Sequence, residues 1–304
     1  MTDEALLDRL ACLAGRSWRA EDLPGGLTNR NIRVTSTDEG PVLDVVVRCT
    51  QSDAELLGID RDAEHTNTLA AARAGVGAPV LEYRPELGML VVGFLPARTL
   101  EDADFADPAV MGRAANACRR LHDGPAFTGV FDMPARQAAY RRTVRDRGFT
   151  LPPTYDDHAG AWAEVVGALA ADAPPPVPCN NDLLAANFLD DGERVWLIDY
   201  EYSGMGDAAF ELGNTVTECE FTPEQTEAWV EAYAGAHTTR ALLARVRLQA
   251  LAAQYGWSLW GFIQAATSPQ DFDFHAWGMH RFAKAEATFR GPDLRRLLVE
   301  VTGG

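Results

Sequence analysis

Between Pro178 and Asn214 the chain places Asp182, then Asn187 five residues on, then Asp199 after a short apolar run. Phosphoryl transfer calls for such a set. One carboxylate accepts the proton of an attacking hydroxyl, while an amide oxygen and a second carboxylate hold magnesium on the phosphates. Asp and Asn also favour turns, so each residue alone carries little. The three at this spacing, ending on a strand-end Asp, carry much more. Asp182 would be the base, and in a loose transition state its main task is orientation, so its pKa need not be high. Asn187 and Asp199 would be the metal ligands.

Elements must hold these groups in place. Arg194-Val195-Trp196-Leu197-Ile198-Asp199 reads as a buried strand that delivers Asp199 at its C-terminal end, and Leu183, Leu184 and Phe188 anchor the loop carrying Asp182 and Asn187. Ala173-Pro174-Pro175-Pro176-Val177-Pro178 is a stiff approach to that loop. Upstream, residues 31–35, 43–49, 80–83 and 89–94 read as strands. Residues 59–74 read as a helix with Ala63, Leu69, Ala70 and Ala74 on its apolar face and Gly75 closing it. The start, MTDEALLDRLACLAG, reads as a short amphipathic helix. Beyond Pro108 helical signals dominate, the longest over 241–267.

Gly25-Gly26-Leu27-Thr28-Asn29 precedes the first of those strands. Paired glycines let backbone N–H groups approach a phosphate, and Thr28 and Asn29 add polar contacts. No Gly-Lys-Ser/Thr follows, so this is not a P-loop. Arg48 ends a run of three valines, and a cation at the end of a buried strand requires a carboxylate partner or an anionic ligand.

A second constellation is aromatic. Trp257 and Trp260 stand three residues apart, on one face of the long helix, with Phe272, Phe274 and Trp277 downstream. Aromatics on an apolar helix are usually core. Aromatic faces also bind a cation that offers no hydrogen-bond donor, such as a trimethylammonium group. Glu201, two residues after Asp199, would supply the counter-charge.

The 304 residues carry a net charge of -17, which disfavours nucleic acid and anionic membrane as partners. No apolar run is long enough to span a bilayer, and the acidic N-terminus lacks the features of a signal peptide. The five cysteines form no CxxC pair, which disfavours structural zinc and a disulfide framework and points to a reducing cytoplasm.

CNNDLLAANF followed by WLIDYEYSGMGDAAFELGN resembles the core of the choline and ethanolamine kinases and their bacterial relatives, within the group that includes aminoglycoside phosphotransferases and protein kinases. The resemblance runs from Pro24 to about Arg281. It implies an α+β, two-lobed, protein kinase-like fold. Residues 1–95 would form a small N-terminal nucleotide-binding lobe with an antiparallel sheet, and 96–304 a larger, mainly helical lobe for catalysis and acceptor binding. It implies ATP with Mg2+, Arg48 on the phosphates and paired to Glu64, and Val92-Gly93-Phe94-Leu95 as a hinge whose backbone reads adenine. It also implies that Trp257, Trp260, Phe272 and Trp277 form an aromatic cage for the acceptor. Two positions depart from the family pattern: Asn180 replaces the His of His-x-Asp, and Glu211 replaces an Asp before Leu-Gly-Asn. Near Met205 the aromatic wall of eukaryotic members is missing. The expected reaction is transfer of the ATP γ-phosphate to choline or ethanolamine. An aminoglycoside or other cationic alcohol as acceptor, and a non-catalytic nucleotide or amine binder, are the alternatives.

Overall fold

The computed structural model describes residues 3–24, 26, 29–50 and 54–303. Gly25 and Thr28, read above as phosphate contacts, lie outside the described residues.

The N-terminal region is built on an antiparallel sheet of β1 (Trp18–Leu23), β2 (Asn29–Ser36), β3 (Asp44–Thr50), β4 (Val80–Arg84) and β5 (Met89–Gly93), ordered β1-β2-β3-β5-β4. Four of these strands fall where the sequence reads as strand. β1 does not, because Trp-Arg-Ala-Glu-Asp-Leu is an exposed edge whose polar middle leaves no alternation. Ile32, Val34, Val45, Val47 and Val91 bury one face of the sheet, and Leu7, Leu10 and Leu13 cover it. Leu7 ends α1 (Asp3–Leu7), Leu13 ends a 3-10 turn at Ala11–Leu13 and Leu10 lies between, so they do not come from one continuous helix. The break is held by Glu82, whose carboxylate accepts the N–H groups of Ala11 and Cys12, each at 2.9 Å.

After α2 (Ala54–Leu57) comes α3 (Arg61–Arg73), capped by Asp60. The face expected to be apolar is not the one most deeply buried. Glu64, Asn67, Thr68, Ala70 and Ala71 point inward, while Ala63, Leu69 and Ala74 are only half-buried. Polar residues tolerate this position because each is bonded: Glu64 to Arg48, and Asn67 to the carbonyls of Thr128 and Ser203.

The helical remainder comprises α4 (Pro108–His122), α5 (Met133–Arg147), α6 (Ala159–Ala171), α7 (Ala208–Glu218), α8 (Pro223–Ala234), α9 (Arg240–Thr267), α10 (Phe274–Arg290) and α11 (Asp293–Glu300). Small antiparallel ladders hold the active loop among them: β6 (Arg98–Thr99), β8 (Phe188–Asp190) and β9 (Val195–Leu197) in one, β7 (Val177–Cys179) and β10 (Gly204–Gly206) in the other. α9 is the central axis. A Cβ at Gly213 of α7 would sit 2.5 Å from the Val246 carbonyl, and one at Gly261 would sit 2.8 Å from the Cα of Gly278 on α10. These crossings are close because the glycines have no side chain. The fold is kinase-like, with a sheet-bearing N-terminal lobe and a larger helical C-terminal lobe. Among the described residues no helix is long and apolar enough to cross a membrane.

Candidate active site

β9 ends at Leu197, and Asp199 follows with φ at 63°. Asn181, beside Asp182, has φ at 69°. Both are non-glycine residues in the left-handed region, a strained choice that persists where surrounding bonds over-determine it. Here they do. Asn180 is fully buried. Its amide donates to the carbonyls of Ile198 at 3.0 Å and Asp199 at 2.8 Å, and its Oδ1 accepts the Asp182 N–H at 3.0 Å. Asn187 Nδ2 donates to the Asp182 carbonyl at 2.7 Å, which turns its Oδ1 to the other side. Asp182, Asn187 and Asp199 are thus brought into one bonded unit.

Glu211, completely buried on α7, ties this unit down. Its Oε2 accepts the Asn181 N–H at 2.6 Å, and its Oε1 lies 3.1 Å from His122 Nε2. His122 Nδ1 in turn lies 2.7 Å from the Tyr233 hydroxyl. The carboxyl, imidazole and thiol of Glu211, His122 and Cys179 come within 4.8 Å of one another. Because both carboxylate oxygens are engaged by the loop and the imidazole, the cluster serves as an anchor.

On the sheet side, Arg48 Nη2 lies 2.5 Å from Asp199 Oδ1 and 3.2 Å from Glu64 Oε1. Arg61 joins Glu64 at 2.6 Å to Glu201 at 3.2 Å, and Asn29 donates to Glu201 at 2.9 Å. Glu201 is therefore held by the sheet and α3. Burial, then the neighbouring charges of Asp199 and Glu64, push its carboxyl up to about 7. A cavity of about 190 Å³ is lined by Asn29, Arg48, Arg61 and Glu64. Among the described residues, Arg61 Nε and Nη2 are buried without a partner. Unpaired buried guanidinium N–H groups are costly, and an anionic group in the cavity would satisfy them. Gly26 has φ at 91°, and a Cβ there would meet the Asn29 carbonyl at 2.7 Å. Position 26 therefore requires glycine.

The hinge candidates are partly committed to the fold. Gly93 donates its N–H to Pro79 and Phe94 donates to Asp44, at 2.8 and 3.0 Å. The Phe94 ring carries the Arg33 guanidinium at 3.7 Å.

Asp182 lies amid negative charge. Burial first, then Asp199, Glu201 and Glu218, raise its carboxyl well above the usual range, and Arg281 opposes them. Arg281 donates two hydrogen bonds to Glu218 and stacks on Trp277, 3.3 Å from the ring centre. Trp260 meets Trp277 at 5.1 Å and Phe274 at 5.7 Å between ring centres, and donates its indole N–H to the Tyr202 hydroxyl at 2.8 Å. Trp257 points elsewhere. It bonds Asn214 at 2.9 Å and packs among Phe131, Tyr140 and Tyr202. Phe272 is exposed and touches Phe274. The sequence-derived aromatics thus divide into a Trp260–Trp277 pair and Trp257, which meets Trp260 through Tyr202.

Residues 19–248 match the model of the phosphotransferase enzyme family. The chain belongs to this family. It is 33% identical to a choline/ethanolamine kinase family protein from Mesorhizobium loti, whose crystal structure superposes with a TM-score of 0.86 over 99% of each chain. It is 26% identical to a probable ethanolamine kinase from Arabidopsis thaliana, across 84% of this chain and 76% of that one. The crystal structure of the choline kinase LicA from Streptococcus pneumoniae, 21% identical, shares the fold with a TM-score of 0.75 over 94% of this chain and 98% of that one.

Within this phosphotransferase the two departures from the family pattern are accommodated. Asn180 bridges the Asp182 loop and the Asp199 strand end, and Glu211 reaches the loop despite its extra methylene. Sequence reasoning missed Arg61, Glu218 and Arg281. Arg61 stands three residues before Glu64 on α3 and so shares its face, a signal that was available. Glu218 and Arg281 are 63 residues apart, on different helices, and no local pattern joins them.

Proposed function

We propose that this phosphotransferase moves the γ-phosphate of ATP onto the hydroxyl of a small cationic amino alcohol, ethanolamine or choline, in a reducing cytoplasm. Residues 1–95 would hold the nucleotide and 96–304 the acceptor. The observation that carries the reading is the bonded unit of Asp182, Asn187 and Asp199, facing the Arg48–Glu64 pair across the two lobes.

In this reading Asp182 accepts the proton of the attacking hydroxyl. Arg48 and Arg61 meet the phosphates, with Asn29 and the glycines at 25 and 26 alongside, and the hinge at 92–95 reads adenine through backbone groups other than the committed N–H groups of Gly93 and Phe94. The oxygen donors fit magnesium: Asn187 presents its amide oxygen, its N–H groups being turned to the Asp182 carbonyl, and Asp199 presents a carboxylate. Bound there, the metal would neutralise charge on the transferring phosphoryl group. Arg48 holds Asp199 and Glu64 while Asn180 fixes the base loop to the same strand end, so base and metal ligands share one frame.

Trp260 and Trp277, together with the Glu218 carboxylate, support a cationic acceptor, since an ammonium group is recognised by aromatic faces and a nearby negative charge. A polyamine sugar would call for an array of carboxylates. The test is ATP turnover by the purified protein with magnesium against ethanolamine, choline, other amino alcohols and aminoglycosides. Turnover confined to aminoglycosides would replace the acceptor assignment, and no acceptor-dependent turnover would leave a binding protein.

A further inference from the structure

The ring of Trp277 already carries a cation. The Arg281 guanidinium lies 3.3 Å from the ring centre, and its Nε and Nη2 both engage the Glu218 carboxylate. This is the chemistry by which an amino alcohol's ammonium would be bound: one aromatic face and one carboxylate. The seat also lies within electrostatic reach of the base. Glu218 and Arg281 both act on the Asp182 carboxyl, with opposite signs. Asp182, Asp199, Glu201 and Glu218 together give this region an excess of negative charge, which Arg281 offsets at Asp182. Both partners are largely buried, with Arg281 12% and Glu218 9% exposed in their side chains. Removing the guanidinium without a replacement would leave a buried carboxylate uncompensated. Exchange for another cation does not.

We propose that Arg281 occupies, as an internal cation, the seat of the acceptor's ammonium group, so that acceptor binding exchanges one cation for another on Glu218 and Trp277. This rests on the amino-alcohol kinase reading. It makes Arg281 a specificity-determining residue: an acceptor must carry a cation that competes with a guanidinium held by a planar fork and a stacked ring. Neutral alcohols cannot displace it, because they bring no charge to Glu218.

Arg281→Met keeps length and packing against Trp277 but removes the charge. With the internal competitor gone, KM for the amino alcohol is expected to fall roughly 5- to 30-fold, the factor associated with one such cation contact, with KM for ATP little changed. Methylguanidinium is expected to compete with the acceptor in Arg281→Met and not in the wild type, and to quench the tryptophan fluorescence of Arg281→Met but not of Arg281→Met combined with Trp277→Phe. Glu218→Gln is expected to raise acceptor KM in both the wild-type and Arg281→Met backgrounds. An acceptor KM that is unchanged or higher in Arg281→Met, with no methylguanidinium competition, would make the pair a fixed structural clamp and overturn the proposal. Should Arg281→Met fail to fold, Arg281→Lys decides with the same sign, since an ammonium holds Glu218 without the fork. If the wild type phosphorylates no amino alcohol, the functional reading fails by itself. The methylguanidinium titration of Arg281→Met, read by fluorescence, still decides whether the seat takes an external cation.

Discussion

The side-chain amide of Asn180 donates to the main-chain carbonyl of Asp199 at 2.8 Å, and the same side chain accepts the N–H of Asp182 at 3.0 Å. One buried carboxamide thus sets the distance between Asp182 and Asp199, the proposed proton acceptor and metal ligand. Asn suits this role because it donates and accepts from one planar group.

Asn180→Ala is expected to lower kcat by about 10- to 100-fold, because it orphans buried carbonyls and frees the loop, and small misplacements of reacting groups cost on that order. Asn180→His retains one donor and one acceptor and is expected to stay within a few-fold of wild type. Steady-state kinetics on both variants check this, and an Asn180→Ala enzyme at full rate would remove the brace from the argument.

Asp182→Asn is expected to lower kcat about 100-fold or more while ATP binding, read by calorimetry, changes only a few-fold. The same substitution is expected to raise Tm at neutral pH. Burial beside Asp199, Glu201 and Glu218 raises the Asp182 carboxyl well above its ordinary value. Stability is therefore lost as pH rises from the unfolded pKa, near 4, through the higher folded one. The gain in Asp182→Asn should be absent below about pH 4 and grow above it. Melts across that range with a pH-independent difference would contradict the assigned cause.

The proximity of Asp182, Asn187 and Asp199, which we propose as base and metal ligands, and the Arg48–Glu64 contact were legible because these residues lie at fixed spacings within or beside single elements. The strands of the sheet were legible for the same reason, β1 excepted, whose exposed edge shows no alternation. The buried face of α3 was not legible, since polar residues turn inward only where distant partners meet them, as Asn67 does at Thr128 and Ser203. Glu201 was read as an acceptor counter-charge from its nearness to Asp199 in sequence, and the fold ties it to Asn29 and Arg61. Glu218 and Arg281 meet only through the packing of α7, α9 and α10.

Arg61→Ala is expected to raise KM for ATP about 10- to 100-fold, the factor for one or two charge-assisted hydrogen bonds to phosphate. The basis is the pair of buried Nε and Nη2 groups, without a partner among the described residues, beside the Arg48 cavity. Acceptor KM should change far less. Equal increases in both would assign Arg61 to holding Glu64 and Glu201 in place.

Asp199→Ala is expected to lose activity that saturating ATP with excess magnesium does not restore, because the variant loses the proposed metal ligand and unpairs Arg48 from it. Full rescue by magnesium would place the metal elsewhere.

The tryptophans should separate by role. Trp257 is buried, bonded to Asn214 and enclosed by Phe131, Tyr140 and Tyr202. Trp257→Ala is expected to cost about 3–5 kcal/mol of stability, as large-to-small changes in a packed core do, and to weaken expression and both substrates together. Trp277 is half-buried, packed against the core beside Trp260 and carrying the Arg281 guanidinium on its ring. Trp277→Ala is expected to cost less in the melt and to raise acceptor KM roughly 5- to 30-fold, from about 1–2 kcal/mol of cation–π contact, with ATP KM unchanged. Trp260 stands between them, bonded to Tyr202 yet packed on Trp277, so its alanine variant should move both quantities. Thermal melts measured beside the two KM values sort the three. If all three variants melt early with acceptor KM unmoved, the aromatics are core and the acceptor binds elsewhere.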